Sequence, residues 1–372
     1  MNYFENTLEK IKKNQQKKQS GVNISFPFGI SNLDEFHPGF TKSLYVLISS
    51  LQKTGKTQFL NYLIINFVNF VKNQQNLKLK ILYFSLEMTE TQIITQIMSY
   101  RLFDKHRLRY STRELLSLFK DKFIEDNIIK YIEEDKLWFD FFQDNVDIIT
   151  HIKNPFGVYK YVKDYLKKPE IGKYTTNEKY EFYNKNTNTF IKGTKETNYQ
   201  YNDENLFIFV VVDNYNNFVA ENNGTKFESI GKWSNEYAIE LRNENKCIII
   251  GIQQQSSETN NIEAHKIKRI EPSAENLKDN KSTVNDVDMF ITLFSPYRAQ
   301  LNNYNNYDIQ KLKDFYRLFE IHFDRNGIPL KTNLFFDGCV NFFTPLPKTD
   351  DLVQLDKFYK TAEKYNLKNT KK

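Results

Sequence analysis

The sequence predicts an α/β fold in which a largely parallel central sheet is flanked by helices. Residues 44–48 form a short apolar run, a polar loop follows, and residues 59–70 show the apolar spacing of an amphipathic helix. A second apolar run, residues 80–84, indicates the next strand. Residues 206–212 are continuously apolar, as expected for a strand buried on both faces of a parallel sheet.

The loop between the first strand and its helix ends in Gly55-Lys56-Thr57. Backbone N–H groups at a helix N-terminus bind phosphate, a lysine at this position reaches the outer phosphates, and the following hydroxyl holds Mg²⁺. Ser50 stands where the usual pattern opens with glycine. The sequence therefore predicts a nucleotide site; its candidate residues are Ser50, Lys53, Thr54, Gly55, Lys56, Thr57 and Asp213.

Two carboxylates follow predicted strands. Glu87 comes just after the second strand, and Asp213 directly ends the apolar run 206–212. A carboxylate at a strand tip can polarise an attacking water, which predicts that Glu87 is a catalytic base. An acid that directly ends so long an apolar run is hard to explain by structure alone, so Asp213 is a second candidate for the site. An acid that only favours a helix N-terminus is the alternative interpretation of Glu87.

Composition narrows the class of protein. The chain has 372 residues, of which 40% are hydrophobic and 26% charged, so a sizeable core is expected. The net charge of +6 permits a polyanionic partner without requiring one. Cys247 and Cys339 form neither a zinc motif nor a disulfide framework, and no signal peptide or membrane-spanning run is evident. We expect a cytoplasmic protein without a membrane partner.

The remaining segments complete the predicted order of elements. Residues 3–19 form a short helix with Phe4, Leu8 and Ile11 on one face, and Thr89 begins a helix that extends to residue 103. Residues 159–205 form an insertion that contains a hairpin, with Asn326-Gly327 as a later turn. The other predicted strands are residues 137–142, 246–252, 289–294, 319–323 and 333–336.

Six motifs, in order between about residues 26 and 345, resemble the replicative helicases of the DnaB type, which are RecA-like ATPases. They are Ser85-Leu86-Glu87-Met88, Val212-Asp213-Asn214-Tyr215, Ile249-Ile250-Gly251-Ile252-Gln253, residues 276–288, Arg325-Asn326-Gly327 and Phe335-Phe336-Asp337-Gly338. The resemblance implies a RecA-like P-loop ATPase core over residues 26–348, with a C-terminal antiparallel hairpin. Residues 1–25 are expected to be a linker or docking helix, and residues 349–372 a polar tail.

The resemblance also implies a function. We expect a ring of six subunits that hydrolyses ATP with Mg²⁺ and translocates on single-stranded DNA during replication. Mg²⁺ would be held by Thr57 and, through water, by Asp213. Arg325 would reach the ATP of the neighbouring subunit, and Gln253 would lie between the phosphates and the loops after it. The predicted DNA-binding residues lie in the segment 254–285; they are Lys266, Lys268, Arg269, Lys278 and Lys281.

Partners and source follow from the same resemblance. A primase or a helicase loader is an expected partner, although the N-terminal collar domain common in such helicases is not expected here. A phage or other mobile element is the expected source, which would place the protein in a bacterial host cytoplasm.

Three departures from the family pattern keep other functions open. Ser50 replaces a loop glycine, Gln96 stands where an arginine is common, and Phe323 where a lysine is common. A catalytically weak assembly or loader protein is therefore an alternative, and a RecA-type recombinase is a third. Lys278 and Lys281 are as consistent with solvated charges as with DNA contacts.

Overall fold

The computed structural model describes residues 2–121, 123–184, 188–221, 224–256 and 270–370. Its strands are β1 (Leu44–Ser50), β2 (Lys78–Ser85), β3 (Val146–Ile149), β4 (Gly172–Asn184), β5 (Thr189–Tyr201), β6 (Leu206–Asp213), β7 (Ile248–Gln254), β8 (Met289–Phe294), β9 (Asn303–Tyr304), β10 (Tyr307–Asp308), β11 (Tyr316–Asp324), β12 (Leu330–Asp337) and β13 (Phe342–Pro345).

Nine of these strands form one sheet in the order β13-β12-β11-β8-β1-β7-β6-β2-β3. The six from β8 to β3 run parallel, and β11, β12 and β13 are added antiparallel at one side. Every residue of β1 is buried, and so is β6 apart from its first residue. The predicted α/β class, with its largely parallel sheet and C-terminal antiparallel hairpin, is confirmed.

Helices cover both faces of the sheet. They are α1 (Tyr3–Gln19), α2 (Ser31–Asp34), α3 (Lys56–Lys72), α4 (Glu90–His106), α5 (Thr112–Leu115), α6 (Asp126–Glu133), α7 (Lys136–Asn145), α8 (Pro155–Leu166), α9 (Lys226–Lys232), α10 (Ile239–Asn243), α11 (Thr283–Asp286), α12 (Ile309–Leu312) and α13 (Leu352–Thr370). Helices α3, α4 and α7 pack in one hydrophobic cluster, while α8, α9 and α10 pack in another on the opposite face. Thr89 caps α4 through a reciprocal capping box with Gln92, as the sequence predicts.

The prediction of a strand at residues 137–142 is wrong, because this segment belongs to helix α7. Trp138 and Phe142, one helical turn apart, are buried together, whereas Leu137 is 79% exposed. The Trp138 indole N–H also donates to Asn69 on α3 at 2.7 Å. Packing against α3 buries residues spaced one helical turn apart, so the segment is a helix and not a strand with alternating burial. The strand that lies at this edge of the sheet is β3.

Three peripheral segments differ in how they are held. Helix α1 confirms the predicted helix, yet its apolar residues are exposed and Lys13 and Lys17 pair with Glu204. The predicted hairpin is present, because β4 pairs antiparallel with β5 from Gly172–Tyr201 to Asn184–Thr189, with one irregularity near Thr175. The segment expected to be a polar tail contains α13, which buries Leu355 and Ala362.

Candidate functional site

The loop after β1 surrounds a buried lysine. The Lys56 ammonium donates to the Ser50 carbonyl at 2.9 Å, the Ser50 hydroxyl at 3.1 Å and the Leu51 carbonyl at 2.8 Å. Burial lowers the pKa of Lys56 to about 8, and the nearby carboxylates of Asp213 and Glu87 oppose that change. The lysine thus rests on its own loop, and Ser50 supplies two of its three oxygen partners.

Gly55 makes the turn from this loop into α3. Its φ of 104° lies in the left-handed region, and a Cβ atom there would come within 2.9 Å of the Phe336 ring. A residue with a side chain would be strained at this position for both reasons. The remaining loop residues close the turn, since Lys53 has a φ of 60° and the Thr54 hydroxyl donates to the Leu51 carbonyl at 2.9 Å.

Asp213 ends β6 beneath this loop and is almost completely buried. Burial raises its pKa to about 6; Glu87 adds to the rise, whereas the Thr57 hydroxyl, Lys56 and Tyr83 oppose it. Among the described residues no group donates to Asp213 Oδ1, although this atom is buried. An orphaned carboxylate oxygen beside the Thr57 hydroxyl fits Mg²⁺, a cation that prefers oxygen ligands.

Glu87 follows β2 and is exposed at the same edge of the sheet. Its Oε2 atom accepts from the Asn214 amide at 2.8 Å and from the Asn217 amide at 3.4 Å. These two amides hold one carboxylate oxygen and leave Oε1 for another partner. The sequence assigned no role to Asn217, and named Asn214 only as part of the motif that contains the predicted metal ligand Asp213.

These side chains surround an open cleft of ≈ 380 Å³. It is lined by Gln52, Lys53, Gly55, Lys56, Thr57, Gln58, Glu87, Gln96, Asn214 and Gln254. The Gln96 side-chain oxygen accepts from Asn61 at 2.8 Å, so an amide occupies the place where the family commonly has an arginine. The cleft is therefore lined by the buried cation of Lys56, the exposed cation of Lys53, one carboxylate and several amides.

Gln253 is not among the residues that line this cleft; its expected position between the phosphates and the loops after it stays a prediction. Its amide nitrogen donates to the Lys278 and Asn280 carbonyls, both at 2.7 Å, and its oxygen accepts from Thr283. Successive side chains of a strand point to opposite sides, so the neighbouring Gln254 faces the cleft instead. Gln253 is tied to the segment predicted to bind DNA.

Arg325 lies at the opposite edge of the sheet from the cleft. Its guanidinium is 3.3 Å from Asp288, which precedes β8 and donates its backbone N–H to the Tyr45 carbonyl at the start of β1. The cleft lies beyond Ser50, five strand residues or roughly 17 Å further along β1. Arg325 is half-exposed and faces away from the cleft of its own chain.

The predicted DNA-binding lysines fall into two groups. Lys278 and Lys281 are exposed, and neither forms an ion pair with any residue that the structure describes. Their backbone is fixed, because the Lys278 N–H donates to the Gln254 carbonyl at 2.8 Å. The other three predicted residues, Lys266, Lys268 and Arg269, lie outside the described residues.

Comparison with known proteins supports the predicted resemblance. Residues 25–135 match the family model of the DnaB-like helicase C terminal domain. This segment contains the loop of Lys56, strand β2 and Glu87. No curated protein sequence matches the chain.

Solved structures share the fold over a longer range. One, an isolated ATPase domain, is 15% identical, superimposes with a TM-score of 0.63, and is matched over 93% of this chain and 100% of that chain. A DnaB-like replicative helicase, solved to show its interactions with primase, is 15% identical with a TM-score of 0.62, over 91% of this chain and 67% of that one. The family match and these folds confirm the resemblance to DnaB-type ATPase domains.

Proposed function

We propose that this chain, a helicase-type ATPase domain of DnaB-like fold, forms a ring that hydrolyses ATP and translocates on single-stranded DNA during replication. The observation that carries the proposal is the separation of Arg325 from the cleft. Lys56, Thr57, Glu87 and Asp213 meet at one edge of the sheet, and Arg325 projects from the other. A second copy of the chain would unite the two halves of the site.

Each residue has a distinct task in this proposal. Lys56 leaves its loop oxygens and binds the outer phosphates of ATP, while Gly55 allows the loop backbone to approach them closely. Thr57 and Asp213 would hold Mg²⁺, which neutralises phosphate charge. Glu87, oriented by Asn214, accepts a proton from the attacking water. Arg325 of one subunit would stabilise the charge that develops on the phosphoryl group bound by the next.

The proposed domain organisation follows the same scheme. Residues 26–348 act as the ATPase core, residues 159–205 are an insertion within it, and residues 1–25 are a docking helix. Lys278 and Lys281 would face single-stranded DNA, with Lys266, Lys268 and Arg269 in the same segment. A primase or a loader is a further proposed partner.

The test is ATP hydrolysis with and without single-stranded DNA, followed by unwinding of a forked duplex. We expect DNA-stimulated hydrolysis, abolished by Lys56→Ala, and unwinding that requires ATP. A protein that binds nucleotide or DNA but neither hydrolyses nor unwinds would instead be a weak or inactive assembly or loader protein. The amide of Gln96 in the cleft favours this second candidate, since it supplies no cation to the phosphates. Strand exchange would indicate a recombinase.

A further inference from the structure

Arg317 is a completely buried arginine on β11 that lies directly behind the phosphate-binding loop. It has 0% exposure, although arginine is almost never fully buried unless it is paired. Its guanidinium lies 3.1 Å from Asp314, and Nη1 also donates to Ser295 and to the carbonyls of Asp314 and Tyr316. Burial lowers its pKa to about 10, a value at which the side chain is still charged at neutral pH.

Another nitrogen of the guanidinium contacts the loop. Arg317 Nε donates to the backbone carbonyl of Thr54 at 2.7 Å. A trans peptide is planar, with its C=O and N–H on opposite sides. Holding the Thr54 carbonyl towards β11 therefore directs the Gly55 N–H to the other side of the loop, where the cleft lies.

The aromatic ring of Phe336 packs against both Arg317 and the loop. The guanidinium of Arg317 lies 4.5 Å from the centre of the Phe336 ring, and that ring also closes the space beside Gly55. Arg317 thus contacts the loop once by a hydrogen bond and once through an aromatic neighbour. Among the described residues, Arg317 Nη2 has no hydrogen-bond partner, so the guanidinium is not fully paired despite its burial.

We propose that Arg317 is a positioning residue for the polyphosphate of a nucleotide, because it holds the Thr54–Gly55 peptide with its N–H directed into the cleft. The inference rests on the proposed nucleotide site and adds a contact that acts from outside it. Arg317 touches no phosphate itself; its effect passes through the backbone of the loop.

Hydrogen–deuterium exchange of residues 51–57 without nucleotide tests the contact independently of any activity. In Arg317→Met, we expect exchange of these amides to rise by about tenfold, the size expected for losing one charge-assisted hydrogen bond. Arg298→Met is the matched control, since Arg298 pairs with the same Asp314 but is exposed and does not contact the loop. Asp314 keeps one arginine in either variant. Arg317→Lys retains the charge and should give an intermediate rate, and it replaces the methionine variant if that fails to fold.

Calorimetric titration with ATP and with AMP tests the consequence. We expect Arg317→Met to weaken ATP binding by about tenfold and AMP binding much less, because the loop N–H groups cradle the α- and β-phosphates and AMP has no β-phosphate. Three results would overturn the inference. They are unchanged exchange together with unchanged ATP affinity, equal losses of affinity for ATP and AMP, and faster exchange throughout the chain. If the wild-type protein binds no ATP, the proposed function fails, and the exchange experiment alone decides whether Arg317 positions the loop.

Discussion

Lys56 is the residue whose protonation state matters most for phosphate binding. It is buried, its pKa is lowered to about 8, and its present partners are neutral oxygens of the loop. An anionic phosphate stabilises the ammonium form. Binding should therefore raise the pKa of this group.

This leads to a prediction about pH. Above pH 8 the free protein increasingly carries neutral Lys56, so nucleotide binding must take up a proton, and the affinity should fall by up to about tenfold per pH unit. Titration calorimetry at pH 8.5 in two buffers of different ionisation enthalpy measures the uptake. Lys42, whose pKa burial also lowers to about 8, lies away from the cleft beside Tyr201, and Lys42→Met should leave the uptake unchanged. A wild-type protein that takes up no proton would contradict the prediction.

Glu87 is the second residue with a testable task. Glu87→Gln preserves the shape of the side chain and removes its basicity, so we expect nucleotide binding to persist while turnover falls by about 10²-fold. Single-turnover hydrolysis measures the change. Glu90, exposed in the first turn of α4, provides the control, since Glu90→Gln makes the same chemical change outside the cleft lining. Equal turnover in Glu87→Gln and wild type would leave Glu87 with a structural task only.

At the scale of elements, strand β11 connects the phosphate-binding loop at one edge of the sheet with Arg325 at the other. Its first residues include Arg317, which contacts the loop of its own chain, and Arg325 directly follows its last residue at the opposite edge. His37, which is buried, lies 2.7 Å from Asp324 and links the hairpin end to the segment before β1. The position of Arg325 is therefore determined by packing as well as by the turn that follows.

Mixing two inactive variants tests whether Arg325 acts on a neighbour. Arg325→Ala subunits keep an intact cleft and Lys56→Ala subunits keep an intact Arg325, so mixed assemblies should recover part of the ATPase activity. Lys56→Ala mixed with Glu87→Gln is the control, because both changes damage the same cleft and no interface regains a complete site. A strictly monomeric protein with full ATPase activity would exclude the shared site.

At the scale of the whole molecule, the exposed lysines of the segment near Gln253 offer a path for a polyanion. We expect Lys278→Ala with Lys281→Ala to weaken binding of single-stranded DNA in a sequence-independent way. The salt dependence should flatten by about 1–2, since single-strand slopes are about 0.7 per phosphate contact. Fluorescence anisotropy at several salt concentrations measures both effects.

The control for this pair is Lys357→Ala with Lys364→Ala on α13, which removes the same charge from an exposed helix. If both double variants lose affinity equally, net charge explains the effect. If neither changes affinity or slope, DNA does not contact Lys278 and Lys281.

No helix among the described residues is both long and apolar enough to cross a membrane. This agrees with the absence of a long apolar run in the sequence.

Local signals in the sequence determined which segments form the main strands and where the cleft residues follow them. Continuous apolar runs specify β1 and β6, and a capping residue begins α4, each through interactions within a few residues of the chain. At position 55 the left-handed φ favours glycine locally, and the distant Phe336 ring adds a steric reason. Tertiary packing decided that residues 136–145 are helical and that Gln254, not Gln253, faces the cleft. It also placed Arg317 behind the loop, a contact between residues 263 positions apart. Such contacts depend on which strands become neighbours, and that pairing is a property of the folded sheet rather than of any single segment.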